Sequence, residues 1–276
     1  MCRMVLSIGF TNDEKVLVGV VDSLVKAASQ DPYGKDLYGE EQHKDGWGLL
    51  AIKFVDASMS VLHYRNTRPI FEDDAVDIVR SFFNDYRGMY LLMVHARAAS
   101  TGTPINVFST HPVRATTRSG SELYMIHNGS FNRDFIIKEL NFSREIASMY
   151  NDTYIANLAL AGRASNDVNR DDLAWLLNYV KTGANLGISL VNSDNVVFIV
   201  GSYYKLMNDG KDEVRERYYR FYYCRNNGQV MYASSTVIDH YRPREFADCM
   251  VMRNGEYHKY LVNASRFEMK ETWLFQ

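Results

Sequence analysis

Cysteine is scarce. Cys2, Cys224 and Cys249 are the only three in 276 residues, too few and too scattered for a disulfide framework. No CxxC pair occurs, so there is no zinc signature. Free thiols point to a reducing compartment, and a cytoplasmic location is the expectation. A surplus of charge of one sign is lacking too. Lys and Arg number 31 against 33 Asp and Glu, a formal net charge of −2. That balance gives no electrostatic case for nucleic acid or an anionic membrane. Long apolar runs are missing. The opening "MCRMVLSIGF" is closed by "TNDEK", so it reads as neither a signal peptide nor a membrane span. No repeat, linker or low-complexity stretch breaks the chain, which makes one domain over 1–276 the simplest organisation.

The content itself is ordinary for a soluble globular protein, at 46% hydrophobic and 23% charged residues. The length is ample for a core without disulfides. "RMVLSIGF" reads as a strand. Thr11 to Glu14 fits a capping box, and Val16, Leu17, Val20, Val21, Leu24 and Val25 have helical spacing, which predicts a helix from Asn12 to Ser29. "DPYGKDLYGEEQHKDG" reads as a polar loop. "WGLLAIKF" and "SVLHYR" read as paired strands, "DDAVDIVRSFFNDY" as a helix, and "MYLLMVHARA" and "ELYMIHNG" as buried strands. Helices are expected near 132–140, 152–163 and 171–181. Strands follow in "NLGISLVN", "NVVFIVGSYY", "RYYRFYYC", "QVMYASS", "EYHKYLVN" and "RFEMKETWLF". Strands at both ends with helices grouped between them imply an α+β fold of packed sheets.

Cys2 has two readings. It is a small residue leading into a strand, or, once Met1 is removed, a first residue with a free α-amine beside its thiol. Four polar stretches bear on the choice: "HKDGWG" at 43–48, "HARAASTG" at 95–102, "HNGSFN" at 127–132 and "NDTY" at 151–154. Singly, each has an ordinary explanation. His95 and His127 fit satisfied core histidines. Asn128-Gly129 is a turn signal. Asp152 fits a helix N-cap, and Arg97 a salt-bridge residue.

Taken with Cys2 and in this order, they resemble the class II glutamine amidotransferases, amidohydrolases with an N-terminal cysteine nucleophile (Ntn). "MCR", "HKDGWG", "HARAAST" with "NVFSTHP", "HNGSFN" and "NDT" each have a family counterpart, and the match runs from Cys2 to about Thr153. The resemblance implies a four-layer α-β-β-α sandwich of two antiparallel sheets. It also implies roles. The Cys2 thiol attacks the γ-carboxamide of glutamine while the α-amine of the same residue carries the proton. Asn128 and Gly129 supply the oxyanion donors. Arg97 holds the substrate α-carboxylate and Asp152 its α-ammonium.

The chain departs from the family where several members have tryptophan after the clamp arginine, since Ala98 stands there. Ser100, Thr101 and Gly102 replace a Thr-His-Gly that lines the glutamine site, and the two hydroxyls remain available as donors. His111 matches a His-Pro pair of the family and fits a structural residue beneath the site at least as well as a catalytic one. His43 and Asp45 lack a third partner, so no metal is assigned, and no cofactor is implied. The tyrosines of "YYRFYYCRNNG" are expected mostly to pack a core. Three functions remain: a glutaminase feeding ammonia to a partner synthase, a stand-alone hydrolase of another γ-glutamyl amide, and a catalytically silent binding module. A free Cys2 amine requires removal of Met1, so activity is expected to follow the fraction of chains beginning at Cys2.

Overall fold

The computed structural model describes residues 2–56, 58–143, 145 and 148–276; Met1, and with it the position of a retained methionine, lies outside them. Two antiparallel sheets carry the fold. The first has seven strands in the order β11-β9-β10-β1-β4-β2-β3 and the second six, in the order β13-β12-β8-β7-β6-β5. Central to the first are β1 (Cys2–Thr11), β2 (Trp47–Val55), β4 (Gly88–Arg97) and β10 (Gln229–Ser234), flanked by β3 (Ser58–Asn66), β9 (Phe221–Asn226) and β11 (Asp248–Val251). The second contains β5 (Val113–Thr116), β6 (Glu122–Phe131), β7 (Val180–Val191), β8 (Val196–Gly201), β12 (Glu256–Val262) and β13 (Phe267–Leu274).

Strand alternation sorts the side chains into three cores. On β1, Met4, Leu6 and Ile8 face the other sheet and meet Tyr124, Ile126 and Phe198. Val5, one step off, faces the helices α1 (Glu14–Ser29), α3 (Ala75–Phe83) and α8 (Ser235–Tyr241). The far face of the second sheet packs on α4 (Arg133–Glu139), α5 (Asp152–Arg163) and α6 (Arg170–Leu177). The layers are therefore α-β-β-α, the expected sandwich. Strands buried on both faces explain why β1, β4 and β6 are apolar almost throughout.

Several sequence expectations are corrected. α1 begins at Glu14, not Asn12, because Asp13 is its cap and accepts from Lys15 N at 2.9 Å. The polar loop holds a helix, α2 (Pro32–Tyr38), opened by a proline at its first position and closed by Gly39 at φ 79°. The helix expected over 171–181 ends at Leu177, and Val180 already starts β7. "RYYRFYYC" is not one strand: its first half ends α7 (Asp212–Tyr219), and β9 begins at Phe221. Cys224 and Cys249 are not free thiols but form a disulfide. They are 25 residues apart, and the pairing of β9 with β11 sets them directly opposite each other. The argument for a reducing compartment loses that support. Among the described residues no helix is long and apolar enough to cross a membrane.

Candidate active site

The site lies where the ends of β1, β4 and β6 meet across the two sheets. Cys2 pairs with Arg97, and Met4 with His95, in the β1–β4 ladder. Cys2, His95 and Arg97 therefore share the face turned toward the second sheet. From that sheet Asn128 reaches across, and the Cys2 nitrogen donates to its Oδ1 at 3.2 Å. The Tyr218 hydroxyl, from α7, lies 3.1 Å from the same nitrogen.

Asn128 is fully buried, and its Nδ2 has no hydrogen-bond partner among the described residues. Its Oδ1 is engaged by Cys2 and lies 3.4 Å from the Tyr218 hydroxyl, so the amide has a fixed sense with its donor free. A buried donor left unpaired costs about 1–3 kcal/mol, so this amide, held against the Cys2 nitrogen, calls for an acceptor. Next to it, Gly129 has φ +147°, and a Cβ there would stand 1.8 Å from the Gly183 carbonyl oxygen. No side chain fits, so glycine is obligatory for the strand crossing.

Arg97 is 3% exposed and has no carboxylate at ion-pair distance among the described residues. Its guanidinium donates to the Pro104 carbonyl at 3.0 Å and more weakly to the Asp45 carbonyl at 3.4 Å. Burial draws its pKa below the ordinary guanidinium value, against the pull of Cys2, Asp45 and Asp152. A buried guanidinium without a counter-ion suits an anionic ligand. Asp152 is not the helix cap; Asn151 is, accepting from Tyr154 N at 2.8 Å. Asp152 opens α5, taking Phe131 N at 2.7 Å and Thr153 N at 3.0 Å. Each oxygen keeps a lone pair for a further donor.

"HKDGWG" braces this arrangement. Asp45 Oδ2 accepts from Ala99 N at 2.7 Å, and Arg97 N donates to the Gly46 carbonyl at 2.8 Å. A Cβ on Gly48 would lie 2.4 Å from the His111 carbonyl. His43 points elsewhere, to Asp31 at 2.8 Å, and the described residues contain no cluster fit for a metal. Ala98 is buried, while Ser100 and Thr101 are exposed on a turn at the rim, closed by Thr103 N to Ser100 O at 2.9 Å.

Three histidines lie under the site. His127 is satisfied by Thr153 Oγ1 and the Gly183 carbonyl, both at 3.0 Å, and stacks on Phe131. His95 Nε2 lies 3.0 Å from both the His127 carbonyl and His111 Nδ1, and His111 Nε2 is 3.2 Å from the Asn151 amide. Burial pushes His111 far below the usual imidazole value and lowers His127 as well. Burial alone would raise the Cys2 thiol. The charge and hydrogen bond of His95 oppose it, with a main-chain hydrogen bond of Ala98, and the thiol falls well below its usual range. Nε2 of His95 is already engaged, so Nδ1, which makes no well-aligned hydrogen bond of its own, is the ring atom left for the sulfur.

Cys2, Arg97, Ser100, Thr101, Gly129 and Asp152 all line one cleft of about 420 Å³. The structure thus brings together the residues singled out in the sequence. A larger cleft, about 1050 Å³, lies away from them, and within it Lys259 pairs with Asp167 and Glu271. Sequence reasoning missed Tyr218. It sits in a tyrosine-rich run with a core explanation, and nothing in the sequence ties position 218 to Cys2.

The fold is that of the N-terminal-nucleophile hydrolases, and the solved structures it resembles include a glutamine amidotransferase. One is a glutamine phosphoribosylpyrophosphate amidotransferase from B. subtilis, complexed with ADP and GMP, at TM-score 0.57 and 12% identity. Another, described as the allosteric regulatory enzyme of purine biosynthesis, gives 0.56 and 12%. Each match covers 97% of this chain but only 49% and 48% of the other, so the chain spans about half the length of these structures. No family profile and no curated protein matches at the sequence level.

Proposed function

We propose that the protein is an Ntn-type amidohydrolase of the class II glutamine amidotransferase kind, acting as one unit over 1–276. With Met1 removed, the Cys2 thiol passes its proton to its own α-amine, whose reference pKa is about 7.7–8.0, and the sulfur attacks the γ-carbonyl. The carbonyl oxygen becomes an oxyanion received by Asn128 Nδ2 and the Gly129 N–H. The C–N bond breaks, the ammonium proton goes to the departing ammonia, and water hydrolyses the thioester. Arg97 and Asp152 hold the α-carboxylate and α-ammonium of the glutamyl group, with Ser100 and Thr101 as donors at the rim. The observation that carries this reading is the unpaired, buried Asn128 Nδ2 beside Cys2.

Ammonia released in this way would feed a partner synthase. The alternative substrate is another γ-glutamyl amide, because the clamp reads only the amino-acid end. The test is ammonia or amine release from glutamine and a panel of γ-glutamyl amides, on batches whose fraction beginning at Cys2 is known from intact mass. Activity proportional to that fraction, and lost in Cys2→Ala, is expected. Full activity with Met1 retained overturns the α-amine as base. A processed protein inert on the whole panel, alone and with candidate synthases, favours a silent binding module.

A further inference from the structure

We propose that Tyr218 is the positioning residue that aims the lone pair of the Cys2 α-amine at its own thiol. The inference rests on the reading of Cys2 as an N-terminal nucleophile and comes from counting hydrogen-bonding valences. A neutral α-amine has two N–H bonds and one lone pair. In the chain beginning at Met1 the Cys2 nitrogen is a peptide amide with one N–H, shared between two acceptors, Asn128 Oδ1 at 3.2 Å and the Tyr218 hydroxyl oxygen at 3.1 Å, and removal of Met1 gives each acceptor its own N–H. The hydroxyl hydrogen has its own acceptor in the Cys2 carbonyl, at 3.2 Å, so its oxygen is free to receive. Both N–H bonds are then assigned, and the lone pair is left to face the side chain. With Asn128 alone, two of the three staggered positions about N–Cα would satisfy its oxygen, and one of those two turns the lone pair away from the thiol.

Tyr218 is itself held fast. It is fully buried, and the Arg3 guanidinium covers its ring at 4.0 Å. Arg3 also donates to the Tyr218 carbonyl at 2.9 Å and forks onto Asp31 at 2.6 and 3.0 Å. Asp31 in turn receives the Thr236 hydroxyl and lies 2.8 Å from His43. A buried stack thus runs from the start of α8 to the Cys2 nitrogen. Burial raises the Tyr218 hydroxyl well above the usual phenol range, so it remains an O–H donor throughout the working range. The other groups facing the thiol and amine are His95 and Arg97 from β4, His127 from β6, Asp152 from α5 and Tyr219 from α7. None of them takes an N–H bond of the amine.

The proton step is then explicit. The S–H bond breaks and a third N–H bond forms on the lone pair. The ammonium reaches Asn128, Tyr218 and the new thiolate with one hydrogen each. Removing the Tyr218 oxygen leaves the ring and the Arg3 contact in place but frees the amine to turn.

The test uses Tyr218→Phe in the full chain, with the start at Cys2 confirmed by intact mass and the fold by thermal unfolding. Alkylation of Cys2 by iodoacetamide, followed against pH without reductant, needs no substrate. Its midpoint is expected to rise by half a unit or more, since the thiolate loses its aligned ammonium. Hydrolysis should show kcat reduced at least tenfold with KM within twofold. An unmoved alkylation midpoint overturns the proposal whatever the kinetics. A midpoint that moves in a protein inert on every γ-glutamyl amide leaves the positioning role standing and sinks the amidase reading instead.

Discussion

Arg97 stands opposite Cys2 in the ladder of β1 and β4, so one main-chain register fixes the distance between the proposed clamp and the proposed nucleophile. A one-residue slip of β1 would turn Cys2 to the face opposite Arg97, which the buried alternation of Met4, Leu6 and Ile8 forbids. Clamp geometry and core packing are in this sense one constraint.

Arg97→Lys and Asp152→Asn should each raise KM for glutamine. A buried charge that loses its ligand partner typically forfeits about 2–5 kcal/mol. Steady-state kinetics with substrates lacking the α-amine separate the two positions. Asp152→Asn should treat them no worse than glutamine, whereas wild type should discriminate. Equal discrimination by both proteins removes Asp152 from the clamp.

Asn128→Ala should act on turnover instead. Loss of one oxyanion donor costs about 10²–10³ in rate. The expected signature is a fall in kcat with KM little changed, since the amide donor acts on charge that develops only during attack. If Asn128 merely shapes the strand, Asn128→Ala will hydrolyse at close to the wild-type rate.

The Cys2 thiol should react as a thiolate at a pH where an ordinary cysteine, with a pKa of about 8.5, does not. Its pKa is depressed in the fold, chiefly because His95 overcomes burial. Alkylation of wild type should therefore persist as pH falls through 8 and 7, and in His95→Gln it should fade at higher pH. Mass-resolved labelling assigns the reaction to Cys2. Superimposable profiles would show that His95 has no hold on the sulfur.

Acid should act through Asp31. Burial would raise this carboxyl, but the Arg3 guanidinium and His43 outweigh it and hold it far below the carboxylate range. A depressed folded-state pKa stabilises above the unfolded value, about 3.9 for Asp, and that contribution is lost as pH falls below it. Arg3 and Asp31 are both fully buried, so removing one partner should cost about 3–5 kcal/mol. Denaturant unfolding from pH 7 to 3 should show wild type losing stability at the acid end. Asp31→Asn should start lower and depend less on pH there. A variant with the wild-type pH slope would place the acid sensitivity elsewhere.

Much of this architecture was legible because local patterns carried it. Apolar runs such as "MYLLMVHARA" become strands wherever both faces are covered, and the apolar spacing after Thr11 becomes α1. The misses have local causes too. In "DPYGKDLYG" the proline and the second glycine are the two ends of a helix, though both look like turn residues. In "RYYRFYYC" aromatics alternate too densely for any period to show that Arg220 divides a helix from a strand. The Cys224–Cys249 bond depends on which strands become neighbours, which spacing does not reveal. The site divides the same way. Cys2, Arg97, Asn128 and Asp152 lie in compact motifs, and the structure sets Cys2, Arg97 and Asp152 around one cleft with Asn128 buried against the Cys2 nitrogen. Tyr218 reaches Cys2 only through the docking of α7 against α2 and α8.

The crowding at Gly129 has a consequence for how this cleft can change. At Gly129 its wall is main chain, with β7 so near β6 that not even a methyl group fits between them. Substitution cannot remodel atoms that belong to every residue alike. The freedom to accept new substrates therefore lies with the lining side chains, most openly the exposed Ser100, Thr101 and Lys181, while the wall at Gly129 keeps one shape for as long as the two strands stay paired.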